Sequence, residues 1–227
     1  MKPLVVIPAR AGSKRLPRKN VLLLGGQPLI NYTIEAARDV FDDSVICVST
    51  DDHEIKKVSE QSGLIVPFLR PEELARDTSD TRSVLLHAYK FYREEYSYEA
   101  DLLILLQPTS PLRKAHHIKE ALDLYNEELD MVVSVKETDS NPYFVLFEQN
   151  EEGYLEKSKR GDFNRSQDCP KVYEFNGAIY IINPNSLLKE QPFKFNKIAK
   201  YVMSREASID IDTELDYKFT DWLLTNQ

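Results

Sequence analysis

The sequence predicts a doubly wound α/β domain built on a mostly parallel sheet. Three observations carry this. Leu4–Pro8, Leu102–Leu106 and Met131–Val135 are continuous apolar runs, as expected of strands covered on both faces. Segments of helical periodicity alternate with them along the chain. Polar loops follow several of the runs directly, which is where open α/β sheets bind ligands. The 227 residues fit one large domain, or one domain with a small lobe.

Leu4–Pro8 is the first strand, and Leu29–Val40 reads as the helix that follows it. Ser44–Ser49 is the second strand; Cys47 lies inside its apolar run and belongs to the core. Glu54–Ser62 and Ser83–Tyr96 read as helices, the latter with Val84, Leu85, Ala88, Phe91 and Tyr92 on one stripe. Leu102–Leu106 is the next strand, Ile118–Glu128 a helix and Met131–Val135 a strand. The pattern breaks over Lys136–Lys171, which is polar and turn-rich, with aromatics at Tyr143, Phe144, Phe147, Tyr154 and Phe163. That length exceeds a plain connection and predicts an excursion such as a β-ribbon arm. Its aromatics would pack on the parent domain or on a second subunit. The domain then comprises residues 1–135 and 172–227. The sheet resumes at Gly177–Ile182 and Ala199–Met203, and Thr213 with Asp216 resembles the cap of a last helix through Phe219, Trp222 and Leu223.

A net charge of −8 and a pI near 5.2 argue against a protein that coats nucleic acid. Two cysteines, Cys47 and Cys169, give neither a disulfide framework nor a CxxC metal signature. No apolar run approaches a membrane span, and no targeting segment precedes the first strand, so the cytoplasm is the expected compartment.

Against this acidic balance, five of the eleven residues Arg10–Asn20 are cationic. Like charges concentrated in one loop point to a built anion pocket. Arg10, Lys14 and Lys19 suit a polyphosphate, and Gly12 allows close backbone approach. The loop is neither a P-loop nor a dinucleotide fingerprint. Asp210-Ile211-Asp212, read as a strand, puts two carboxylates on one face, a donor set suited to Mg²⁺ and a phosphate substrate. Gln107-Pro108-Thr109-Ser110-Pro111-Leu112-Arg113 ends a strand with neutral donors and acceptors suited to sugar hydroxyls. Ser49-Thr50-Asp51-Asp52 reads as a helix cap. Arg70, in the polar loop 70–78, serves either a ligand or an ion pair. His116-His117 opens a helix, where neighbours diverge and make poor ligands.

Taken together, Ile7–Asn20, Ser49–Asp52, Leu69-Arg70-Pro71, Gln107–Arg113, Asn176–Ile181 and Ser208–Asp216 resemble bacterial acylneuraminate cytidylyltransferases, in family order and over nearly the whole chain. The resemblance implies a Rossmann-like domain with an arm over 136–171 that exchanges within a homodimer. It implies attack of a nine-carbon 2-keto sugar acid on the α-phosphate of CTP, giving a CMP-sugar and pyrophosphate. Arg10, Gly12, Ser13, Lys14, Lys19, Asn20, Arg70 and Thr81 would hold the nucleotide. Gln107, Thr109, Ser110, Asn176 and Tyr180 would hold the sugar, and Asp210 and Asp212 a Mg²⁺ cofactor. Arg10, Lys14 and Asp212 would carry the chemistry. Glu174 stands where some relatives have arginine, and Ala11-Gly12 where a second glycine is common. These departures keep neuraminic, legionaminic and pseudaminic acids all in play. The rival readings are a catalytically silent domain binding CTP or CMP-sugar, and a related enzyme for another sugar such as 3-deoxy-octulosonate.

Overall fold

The structure is a computed structural model that describes residues 1–76 and 79–226; Asp77 and Thr78, at the end of the loop 70–78, lie outside it. Ten strands occur among the described residues: β1 (Pro3–Pro8), β2 (Leu23–Leu24), β3 (Gln27–Pro28), β4 (Ile46–Ser49), β5 (Leu102–Leu106), β6 (Met131–Glu137), β7 (Phe147–Gln149), β8 (Leu155–Lys157), β9 (Tyr173–Ile182) and β10 (Ile198–Val202). The helices are α1 (Leu29–Arg38), α2 (His53–Gln61), α3 (Thr81–Glu95), α4 (Ala115–Asp123), α5 (Pro184–Lys189) and α6 (Glu214–Thr225).

Six strands form the central sheet in the order β10-β6-β9-β5-β1-β4. Every pairing is parallel except those of β9, which runs antiparallel between β5 and β6. Alternate residues of each strand feed two cores. Val5 and Ile7 of β1 pack with Ile34 of α1, Ile55 of α2 and Ile118 of α4 on one face. Leu4 and Val6 pack with Leu85 and Tyr92 of α3 and Leu187 of α5 on the other. Leu4, Val5, Val6 and Ile7 are all 0% exposed, and each such side chain contributes about 1.5–3 kcal/mol of transfer free energy. The expected doubly wound, mostly parallel architecture is therefore what the chain adopts. Cys47 is buried in the second core.

The helix predicted over Ile118–Glu128 runs instead over Ala115–Asp123. Its apolar pattern continues through Tyr125 and Leu129, but these pack from turns against the first core. The strand expected at Gly177 begins four residues earlier, because Tyr173 and Glu174 pair with Glu137 and Lys136. The excursion therefore leaves and rejoins the sheet through paired strand ends. It contains the β7–β8 hairpin, and Tyr143 meets Phe163 edge-on within it, whereas Phe147 and Tyr154 are exposed. Thr213 caps α6 in a reciprocal arrangement with Asp216, as its spacing predicts. Asp210–Asp212 joins no ladder. It is tied instead by the Ile211 N–H donating to the Thr109 carbonyl at 2.8 Å, so the strand expected there is absent.

Asp130 ties three elements together where β6 begins. Its carboxylate accepts from the Ser186 hydroxyl at 2.6 Å and from the N–H groups of Asn196 and Lys197 at 3.2 and 2.9 Å. These bonds, the Ser186 hydroxyl foremost, lower its pKa below the ordinary 3.8. A depressed carboxylate stabilises the fold above its unfolded pKa and loses that contribution as pH falls through its folded value. Asp130→Asn is therefore expected to reduce stability at pH 7. In urea titrations across pH, the deficit should shrink progressively below pH 3.8; a deficit constant with pH would contradict it.

Candidate active site

From β1 the chain passes through α1 to β4 on one side, then returns across β1 to β5 on the other. The carboxyl ends of β1 and β5 thus flank a topological switch point, where open α/β sheets bind ligands. Three adjoining cavities lie there. Arg10, Ser13, Lys14, Lys19, Gln107 and Asp212 line a central one of about 450 Å³. Pro8 and Arg10 also line a second, of about 280 Å³, together with Arg70, Asp80 and Thr81. Gln107 also lines a third, of about 740 Å³, with Glu174, Asn176, Tyr180, Arg205 and Asp210.

The cationic loop is held at several points. The Ala9 N–H donates to the Ser49 carbonyl at 2.9 Å, and the Asn20 amide donates to the Arg10 carbonyl at 3.1 Å. Leu16 packs into a small core with Leu24 and Ile211. Arg18 adopts a left-handed backbone with φ of 58° and pairs with Glu54. The Lys19 ammonium donates to the Ile211 carbonyl at 2.7 Å and to Asp212 Oδ1 at 2.8 Å. Arg15 lies 3.5 Å from the other oxygen of Asp212. A Cβ on Gly12 would meet nothing within 4 Å, so the backbone there stands open to a ligand.

Asp51 joins this loop to the second cavity. Its Oδ1 accepts from the Ala11 N–H at 3.1 Å and lies 3.5 Å from the Arg70 guanidinium. The Arg70 side chain is only 3% exposed. Burial, with Arg10 adding to it, pushes its pKa down against the pull of Asp51, and its Nε has no hydrogen-bond partner among the described residues. Thr81 stands at the start of α3, exposed on the rim of the same cavity.

At the other end, the Ser110 hydroxyl is buried without a hydrogen-bond partner among the described residues. Thr109 lines the central cavity. Gly177 has φ of +76°, and a Cβ there would lie 3.3 Å from Gln107 Oε1, so glycine permits both the turn and the close approach. Asn176 is buried and its amide is engaged: it donates to the Ser208 hydroxyl at 2.8 Å and accepts from the Ser134 hydroxyl at 2.6 Å. Burial, with the charge of Asp210 adding to it, raises the Tyr180 phenol pKa. Glu174 is paired with Lys136 at 2.6 Å.

Loss of water around the Asp210 carboxyl raises its pKa, and the like charge of Asp212 adds to this while Lys19 opposes it. A cation near both carboxylates would relieve that strain. Among the described residues no group of three or more His, Cys, Asp and Glu forms a metal cage. Instead of sharing one face as the sequence predicts, Asp212 lines the central cavity, paired with Lys19 and Arg15, and Asp210 lines the third; a Mg²⁺ that keeps water and phosphate in its shell needs only one or two such carboxylates. The His116 and His117 rings meet at a tilt of 46° at the start of α4, where His117 Nδ1 accepts from the Lys114 N–H. Asp52, as the cap reading required of one residue in its loop, accepts from the N–H groups of Glu54 and Ile55. The sequence reading missed the bridging role of Asp51. Its only local signal is a second carboxylate beside the capping one.

The sequence matches the family described as cytidylyltransferase over residues 4–220. It is 38% identical over 221 residues to an N-acylneuraminate cytidylyltransferase of Streptococcus agalactiae serotype V, covering 96% of this chain and 52% of that one. The chain thus spans about half the length of that relative. It is 37% identical to the CMP-N,N'-diacetyllegionaminic acid synthase of Legionella pneumophila, covering 99% and 97% of the two chains. Among solved structures, a CMP:2-keto-3-deoxy-manno-octonic acid synthetase complexed with CTP superposes with a TM-score of 0.70 at 20% identity, covering 99% and 98%. At that identity the likeness speaks to fold alone.

The Asp51–Arg70 contact invites a double-mutant cycle. Asp51→Ala strands a buried guanidinium and is expected to cost about 3 kcal/mol in urea denaturation. Asp51→Ala with Arg70→Met should cost less than the sum of the single changes, by about 0.5–3 kcal/mol. Strict additivity would show that the two residues act independently.

Proposed function

The chain belongs to the cytidylyltransferase family, and from that premise we propose that it joins CTP to a nonulosonic acid, releasing pyrophosphate. The observation that carries this reading is the continuous cleft at the switch point. A cation loop with Asp212 occupies its centre, a buried arginine faces one end, and neutral donors with Asp210 face the other. The acid is of the neuraminic, legionaminic or pseudaminic type, since relatives named for the first two match over nearly all of this chain. CTP as co-substrate favours the cytoplasm as the place of action.

In this reaction the anomeric hydroxyl oxygen of the sugar acid forms a bond to the α-phosphorus. The bond from that phosphorus to the bridging oxygen breaks, and pyrophosphate leaves with the electron pair. Catalysis then rests on positioning and on charge stabilisation. Arg10 and Lys14 neutralise the charge that builds on the departing phosphates. Lys19 and Asn20 keep the loop in place, and Ser13 and Gly12 offer it to the phosphates. Arg70 and Thr81 receive the cytidine end. Gln107, Thr109, Ser110 and Tyr180 receive the sugar, and Asn176 braces the wall beside them. Asp212 takes the proton of the attacking hydroxyl. Asp210 and Asp212 would hold Mg²⁺, which supplies further charge neutralisation at the phosphates when bound.

Pyrophosphate release with CTP and Mg²⁺ against N-acetylneuraminic, legionaminic, pseudaminic and 3-deoxy-octulosonic acids tests the reading. Turnover is expected with one of the first three. Turnover with the octulosonic acid alone, or with none, would overturn it. Lys14→Ala should lower kcat about 100-fold with little change in melting temperature. A large loss of stability with retained turnover would make Lys14 structural.

The same reading extends to a homodimer. The excursion exposes Val145, Leu146, Phe147, Tyr154 and Leu155, and α6 exposes Leu215, Phe219 and Trp222 at helical spacing. Exposed apolar side chains in such number favour an interface. Sedimentation velocity at micromolar concentration should show a dimer, and Phe147→Asp with Leu155→Asp should yield monomer. A monomeric parent protein would refute the assignment.

A further inference from the structure

Arg113 closes the turn that carries Gln107, Thr109 and Ser110, yet it is 1% exposed and lines none of the cavities described above. Its Nη1 donates to the Gln107 carbonyl at 3.0 Å and to the Ala178 carbonyl at 2.8 Å. Its Nη2 donates to the Thr33 hydroxyl at 2.5 Å, and that hydroxyl in turn lies 3.4 Å from the Gln107 carbonyl. All of these partners are neutral, and Arg113 has no carboxylate partner among the described residues. Burial alone pushes its pKa down to about 9. An apolar side chain of similar length avoids the desolvation cost of this cation but takes a donor from the Gln107 and Ala178 carbonyls.

The contacts explain what the guanidinium does. One fork fixes the carbonyl of Gln107, the strand β9 just after Gly177, and helix α1. Gly177 is also where β9 passes close to the Gln107 side chain. We infer that Arg113 is a positioning residue for the acid-sugar end of the cleft. It locks the Gln107 turn against β9 and sets a positive charge, without a carboxylate partner among the described residues, behind the turn that receives the acid sugar. This rests on the cytidylyltransferase reading above. A rigid fork and a fixed charge are separate contributions, and variants separate them.

The experiment measures pyrophosphate release at saturating CTP while varying the acid that the parent enzyme turns over. It also measures CTP affinity by calorimetry and melting temperature. Arg113→Met should raise KM for the acid about tenfold or more, with CTP affinity almost unchanged. Arg113→Lys keeps the charge and loses the fork, and should raise KM only about threefold. Thr33→Val lies outside the cleft walls, removes one arm of the fork, and should act in the same direction. Equal weakening of acid and CTP by Arg113→Met would overturn the inference and show a general structural role, while leaving the reaction itself established. Should Arg113→Met fail to fold, an unchanged acid KM in both Arg113→Lys and Thr33→Val would overturn it. A parent enzyme that turns over no acid would overturn the reading of the reaction, and this inference with it.

Discussion

Mutual repulsion among cations is the constraint on which this cleft depends. Arg10, Lys14, Arg15, Lys19 and Arg70 gather at one end of the sheet in a chain whose net charge is −8. Two unit charges 4 Å apart interact by about 1 kcal/mol in water and about 4 kcal/mol near a protein surface. Left alone, such a loop would splay into solvent. Two carboxylates prevent this, and each joins segments that are distant in sequence. Asp51 holds the Ala11 backbone and the Arg70 guanidinium together. Asp212 takes Lys19 and Arg15. The cleft therefore has internal counter-charges at both flanks.

The fold supplies the rigidity that such an arrangement needs. The ends of β1, β4 and β5 are anchored in cores packed on both faces of the sheet, so the loops that follow them start from fixed points. Leu16 pins the long cationic loop to a third, smaller core shared with Ile211, which places Asp212 beside Lys19. Packing and electrostatics thus act on the same few residues. Ile211 is buried so that the carboxylates on either side of it can face different cavities.

What could be read from the sequence follows from how local each signal is. β1, β5 and β6 are legible because doubly covered strands leave continuous apolar runs, and α3 because its stripe spans several turns. The cationic loop and the carboxylate pair are legible as composition against a background. The β2–β3 hairpin escapes, since strands of two residues carry no periodicity, although Gly25-Gly26 between them is the turn signal. The direction of β9 escapes because burial patterns do not encode polarity of pairing. Asp51 and Arg113 escape for a third reason. Asp51 meets Ala11 across 40 residues and Arg113 meets Ala178 across 65, so only tertiary structure brings the partners together.

The reversed course of β9 has an outcome for how such a molecule can be altered. A parallel strand would deliver its start to the far end of the sheet. An antiparallel one delivers it beside the finish of β6, so the intervening segment departs and returns at the mouth of the cleft, clamped by the Lys136–Glu174 and Glu137–Tyr173 pairs. Chain length between those clamps is nearly neutral to folding, since each doubling of a flexible loop costs only about 0.6 kcal/mol. That stretch is the part of the protein where residues can be added, removed or exchanged at the mouth of the cleft while both cores stay as they are.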